Sequence, residues 1–276
     1  MQFHPPTGLR RAAHDGFTLI ELLVVITIIA LIATIGLPAL KGFGKSNAIV
    51  ATDRQLLDDI AAARQRAIAE HTTVYVLFAS PALASPATNK DAMELKYSDL
   101  QKTQLSNIAR GQFTSYAFYS ERSVGDQPGQ KTKRYLSKWK TIPDGLMIAP
   151  AKYDYNRVTN SDGVWSFEVG EFPYPAGTNQ TVTHIPFLAF NHLGQLVHTN
   201  GDLSARNDGG EILPLARGSI FYADPQNPLR ADVLETPPGN SQKLINGKTN
   251  TTWHYIRIDA LTGRAHVEQY EIPALP

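Results

Sequence analysis

A single ionisable side chain, Glu21, interrupts the apolar run of residues 17–40, and it stands five positions past Gly16. A carboxylate set in hydrocarbon is expensive and takes a cation or hydrogen-bond donors as partners. A second candidate group is Asn200, Asp202, Asn207, Asp208 and Glu211, clustered in a glycine-bearing loop and offering the hard oxygens that calcium prefers. The Asp-x-Asp-x-Asp-Gly order of a dedicated calcium loop is absent, so turn formation is the default reading and calcium the alternative. His184, His192 and His198 are separated by eight and six residues, unlike short zinc spacings, and the chain has no cysteine. Gly44-Lys45-Ser46 has the form of a phosphate-loop ending, yet Ala39 stands where the first glycine belongs. There is no Gly-x-Ser-x-Gly elbow, and no Ser-His-Asp set stands out by context. These residues imply no enzyme and no cofactor, and they make Glu21 the group to explain.

The element that must position Glu21 is a helix. Residues 17–40 reach about 36 Å in helical form, enough to cross a bilayer. Arg10 and Arg11 precede the run and orient it with the short polar leader in the cytoplasm. Pro38 removes one helical hydrogen bond and predicts a bend, with Gly36, Gly42 and Gly44 softening the same stretch. From residue 46 to about 70, Ile49, Leu56, Leu57, Ile60, Ala67 and Ile68 recur at helical spacing, and Asp53, Arg54, Asp58, Asp59, Arg64 and Arg66 mark a wet face. One long helix is expected, its outer half packed on a sheet.

Beyond residue 71 the pattern turns to strands. Thr72-Thr73-Val74-Tyr75-Val76-Leu77-Phe78-Ala79 is rich in β-branched and aromatic residues. Further strands are expected near 113–120, 134–140, 146–149, 164–169, 185–190, 195–198, 219–223, 254–259 and 265–270. Asp259-Ala260-Leu261-Thr262-Gly263 reads as a hairpin turn, with Gly263 able to take positive φ. Residues 81–111 read as an insertion with a short helix between Asp91 and Arg110. Segments 125–130, 174–178, 200–210 and 225–247 carry the Pro, Gly, Asn and Asp of loops. The fold class is α+β, a long N-terminal helix on an antiparallel, β-rich domain.

Gly16-Phe17-Thr18-Leu19-Ile20-Glu21 resembles the processing site of type IV prepilins and type II secretion pseudopilins. The resemblance implies cleavage by a prepilin peptidase between Gly16 and Phe17, followed by N-methylation of Phe17. It divides the chain into a leader (1–16), a membrane and filament-core helix (17–40), an amphipathic continuation (41–71) and a periplasmic β-rich domain (72–276). Cleavage would expose an α-amino group four residues from Glu21, on the same helical face. The family implies that Phe17 and Glu21 set the register of subunits leaving the membrane. Its partners would be the peptidase, other pilins or pseudopilins and the inner-membrane assembly platform. The helix-then-strand order resembles H-type minor pseudopilins and FimT-like minor pilins, as do Ile142-Pro143-Asp144-Gly145 and Phe190-Asn191-His192-Leu193-Gly194. The function implied is a minor pseudopilin, with a minor type IV pilin as the alternative. A plain anchored binding domain would leave the processing string unexplained, and a secretory signal peptide has a shorter apolar core without a carboxylate.

Composition narrows the partners. The formal charge is +1, and loss of residues 1–16 with Arg10, Arg11 and Asp15 leaves the side chains near neutrality. Lys243, Lys248, Arg257 and Arg264 are interleaved with Asp259, Glu268 and Glu271, so no basic stripe for nucleic acid forms at the C-terminus. Lys131, Lys133, Arg134, Lys138 and Lys140 read as a solvated face. Without cysteine, an exported domain must rely on its core or on bound ions.

Overall fold

The computed structural model describes residues 18–80, 103, 106–122, 125–127, 130, 132–153, 166–173, 181–198, 210–224, 227–236 and 252–271. The side chains of residues 35–47, 181–184, 223–230, 236, 252–253 and 270–271 lie outside that set. The chain divides into two compact units, residues 1–46 and 47–276.

Helix α1 (Leu19–Ala69) contributes to both units. In the first, its described side chains are apolar apart from Glu21, Thr27 and Thr34, and nearly all are exposed. Among the described residues no helix is long and apolar enough to cross a membrane. The described side chains of the apolar run stop at Thr34, and the expected bend at Pro38 lies outside the described residues. In the second unit the helix is one-sided. Leu56, Ile60, Ala63 and Ala67, at steps of four, three and four, are buried. That spacing makes one stripe, and each large aliphatic in it contributes roughly 1.5–3 kcal/mol by leaving water. The helix ends in a Schellman turn. His71 takes φ 48°, the Thr72 N–H donates to Ala67 O at 3.1 Å, and the His71 N–H donates to Ile68 O at 3.4 Å.

The stripe meets two antiparallel sheets. The first runs β3 (Arg134–Tyr135), β2 (Ser115–Ser120), β1 (Val74–Phe78), β7 (Thr181–Phe190), β6 (Glu168–Pro173), with β4 (Lys140–Thr141) also on β2. The second runs β11 (Ala265–Glu271), β10 (Thr252–Ile258), β8 (Glu211–Asp224), β5 (Leu146–Ile148), with β9 (Asn227–Thr236) also on β8. Alternation along β1 sorts its residues. Val74, Val76 and Phe78 join the helix core, together with Leu213, Leu215, Ile256 and Ile258 of the second sheet. Leu77 belongs to a second cluster with Tyr119, Phe172, Ile185 and Phe187, against which Tyr75 packs. Both faces of the first sheet are therefore apolar, as its mixed aliphatic and aromatic strands require.

Several expected elements take a different form. The strand expected over 134–140 is two short ones, β3 and β4, which meet opposite halves of β2. The strand expected at 164–169 is β6, starting at Glu168 and bulged between Gly170 and Phe172. Residues 195–198 contribute a single bridge, Leu196 to Phe190. The loop expected over 225–247 holds strand β9, which pairs in register with β8 from Arg217↔Thr236 to Tyr222↔Ala231. Of the short helix expected within 81–111, residues 103 and 106–109 are described and helical.

The turn at residues 259–263 forms as expected. The Thr262 N–H donates to Asp259 Oδ1 at 2.7 Å, which holds the Asp259 carboxyl below its ordinary range. Gly263 is required there. Its φ is 61°, and a Cβ would sit 2.0 Å from Gly194 O in the neighbouring turn.

Candidate assembly site

Thr18 and Glu21 begin α1 as a reciprocal cap. The Thr18 N–H and hydroxyl donate to Glu21 Oε2 at 2.9 and 2.7 Å, and the Glu21 N–H donates to Thr18 Oγ1 at 3.3 Å. This is a capping box, in which each partner satisfies a donor that a helix start leaves without a bond. Glu21 also stands in the first turn, where the helix dipole favours negative charge. The carboxylate is thus supplied with donors from its own chain. Gly16 and Phe17, the residues of the expected cut, lie outside the described residues. Thr18 was not singled out from sequence, although Thr-x-x-Glu ahead of an apolar run is the signature of such a cap.

After the cap comes surface that no described element covers. Leu19 is 82% exposed, Leu31 66% and Ile32 63%, and Ile20, Ile26, Ile28 and Ile29 are all exposed by more than half. The polar groups within this stretch are turned inward. Thr27 and Thr34 donate their hydroxyls to Val24 O and Leu31 O at 2.7 Å each, leaving hydroxyls compatible with an apolar setting. A contiguous apolar surface of this kind marks a contact with lipid or with other helices.

The second unit holds its share of α1 through polar contacts that the periodicity had assigned to solvent. Asp59 Oδ2 accepts the Tyr116 hydroxyl at 2.6 Å and its Oδ1 accepts Lys140 at 2.5 Å, while Gln55 donates to Tyr116 Oη at 2.9 Å. Burial, then the bond to Asp59, pushes the Tyr116 hydroxyl far above its ordinary range. Asp53 meets His254 Nε2 at 2.6 Å, and the other ring nitrogen faces Gln269 at 2.8 Å. Arg64 donates to Gly194 O and Thr262 O, at 3.2 and 2.6 Å, and so joins a turn from each sheet to one helical position. Arg134 of the expected basic face pairs with Glu70 at 3.1 Å, while Lys133 and Lys138 are exposed.

The other sequence candidates do not converge. His192 is exposed, His198 pairs with Glu168 at 2.9 Å, and the His184 side chain lies outside the described residues. Asn200, Asp202, Asn207 and Asp208 also lie outside them, and Glu211 is engaged by Lys152 in the interior. Among the described residues no group of three His, Cys, Asp or Glu is arranged to hold a metal.

Comparison with known proteins bears on the capped terminus. Residues 11–37 match the family described as the prokaryotic N-terminal methylation motif. No curated protein and no solved structure matches the chain. That motif is the one found at the N-terminus of type IV prepilins and pseudopilins, and it supports the resemblance read from Gly16–Glu21. The motif is one processed by a prepilin peptidase for assembly with other pilins.

Proposed function

We propose that this chain is a minor pseudopilin of a type II secretion apparatus, anchored in the inner membrane through residues 17–40 with its β-rich domain in the periplasm. A prepilin peptidase cuts between Gly16 and Phe17, and the freed Phe17 is N-methylated. The same apolar surface then serves twice, against lipid before assembly and against neighbouring helices after it. The observation that carries this reading is the match of residues 11–37 to the methylation motif. The capped Thr18–Glu21 start and the uncovered apolar stretch behind it support the reading.

In this account Glu21 is held by Thr18 until a neighbouring subunit's α-amino group offers a full charge. A charge-assisted bond outweighs neutral ones, so the exchange favours packing in register. The resemblance of the helix–strand order to H-type pseudopilins is what selects a minor secretion subunit. The test begins with the full chain expressed with and without a prepilin peptidase, followed by intact mass. Peptidase-dependent loss of residues 1–16 with gain of one methyl group is expected, and an uncut chain overturns the proposal. Glu21→Val should then abolish incorporation into filaments reconstituted with a secretion system's other subunits while leaving cleavage intact. Incorporation into a retractile pilus and not into a secretion filament would move the chain to the pilin side of the family.

A further inference from the structure

Lys152 and Glu211 form the least expected contact in the molecule. Nζ of Lys152 lies against Oε1 of Glu211, with side chains 0% and 3% exposed. The two residues are 59 positions apart. Lys152 sits in the 3-10 turn Pro150–Tyr153, with its N–H on Ala149 O and its carbonyl accepting the Phe167 N–H, both at 3.0 Å. Glu211 opens β8 in register with Ile258 of β10. An aromatic ring lies over the amine. The Phe167 centroid is 5.0 Å from Nζ, and Phe167 in turn packs on Phe78 at 4.6 Å and Tyr153 at 5.1 Å.

We propose that Lys152 and Glu211 are the site of an intramolecular isopeptide cross-link. The chemistry requires an amine and a carboxyl group held together, away from water. A buried ion pair is weak as a stabilising device, because both charges lose their hydration. Proton transfer along the shared hydrogen bond gives the neutral amine and carboxylic acid, the form that low-dielectric surroundings tolerate. The nitrogen lone pair then attacks Cδ of Glu211. The Nζ–Cδ bond forms, the second proton passes from nitrogen to a hydroxyl, and the Cδ–O bond breaks as one water leaves. No oxidant or other reactant enters. Fixed backbones on both sides hold the atoms in near-attack arrangement, an effect worth effective molarities of roughly 10⁵ M and above. Exclusion of water opposes the reverse hydrolysis. The product ties the turn after β5 to the start of β8 and so closes a span of 59 residues that includes β6 and β7, in a chain with no cysteine to make a disulfide.

The full-length chain, denatured, is weighed intact and then mapped after trypsin digestion. The expected mass is one water below the processed sequence, with a branched peptide joining the Lys152 and Glu211 segments and no cleavage after Lys152. Lys152→Arg and Glu211→Ala should each restore the full mass, a reading that does not depend on the variants folding. Asp144-Gly145, Asp162-Gly163 and Asp208-Gly209 can also lose water as succinimides. A deficit that persists in Lys152→Arg therefore overturns the proposal. So does wild-type protein at full mass with trypsin cleaving after Lys152.

Discussion

Removing the carboxylate of Asp59 tests whether the polar contacts along α1 hold the helix on its sheets or merely decorate it. In Asp59→Ala, the Tyr116 hydroxyl loses the acceptor it reaches at 2.6 Å, and Lys140 loses its partner at 2.5 Å. Tyr116 is 1% exposed, so water does not freely replace the lost acceptor. A hydrogen bond to a charged group contributes about 1.5–3 kcal/mol. Lys140 is 39% exposed on its side chain, and a pair that wet adds only about 0–1 kcal/mol. The sum, roughly 1.5–4 kcal/mol, corresponds to a melting temperature lower by about 3–16 °C in a domain of this size. The assay is thermal unfolding of the full-length chain in mild detergent, followed by near-UV circular dichroism. Tyr116→Phe removes the same bond from the other end, while leaving Asp59 with Lys140. The two changes combined should therefore cost less than their sum, by roughly 1–2 kcal/mol. A shift below about 2 °C for Asp59→Ala, or strict additivity in the double variant, would show that the bond carries no such energy.

Two further outcomes follow from the same domain. Burial pushes the Tyr75 and Tyr255 hydroxyls up to about 12 from an ordinary value of 10, and raises Tyr116 and Tyr119 further. Their contribution is complete below pH 10 and is lost as pH rises toward 12, because the unfolded chain gives up those protons first. The urea midpoint should thus fall steadily from pH 10 to 11.5, and a flat midpoint over that range would refute the assignment. At His71, a left-handed residue with a side chain, substitution by glycine should raise stability by about 1 kcal/mol. Gly263→Ala, by contrast, meets Gly194 O and should lower the melting temperature clearly. Equal and small effects of these two changes in thermal unfolding would refute the backbone argument.

How much of this was legible in the sequence depended on how local the signal was. The amphipathic stripe from Leu56 to Ala67, strand β1 and the turn at Gly263 are set by neighbours in sequence and appear in the structure, while the string at Gly16–Glu21 is equally local and falls within the matched methylation motif. Strand β9 was not legible, because its segment carries the Pro and Asp of a loop. Pro228 is tolerated there because β9 pairs only with β8 among the described strands, and an edge position needs fewer N–H donors. The roles of Asp53, Asp59 and Arg64 were hidden for another reason. Periodicity places them beside the buried stripe, but their partners Tyr116, His254 and Gly194 arrive from 57, 201 and 130 residues away. Glu211 was grouped with its loop neighbours as an oxygen donor, since nothing near it in sequence points to a lysine in the core.

The two stretches of α1 therefore answer to different demands. Around residues 19–34 the side chains are apolar apart from Glu21, Thr27 and Thr34 and are largely exposed among the described residues, so a change there has little described structure to disturb. Around residues 48–69 the apolar positions are confined to one stripe, and the polar positions flanking it are tied to both sheets. A charge placed at Ile28 should leave the domain's melting temperature unchanged and act on membrane retention and assembly. A charge placed at Ile60, which is 1% exposed, should unfold the domain whatever its effect on the terminus. That separation is what the proposed role requires, since under it the N-terminal stretch exchanges lipid for neighbouring helices while the domain keeps its fold.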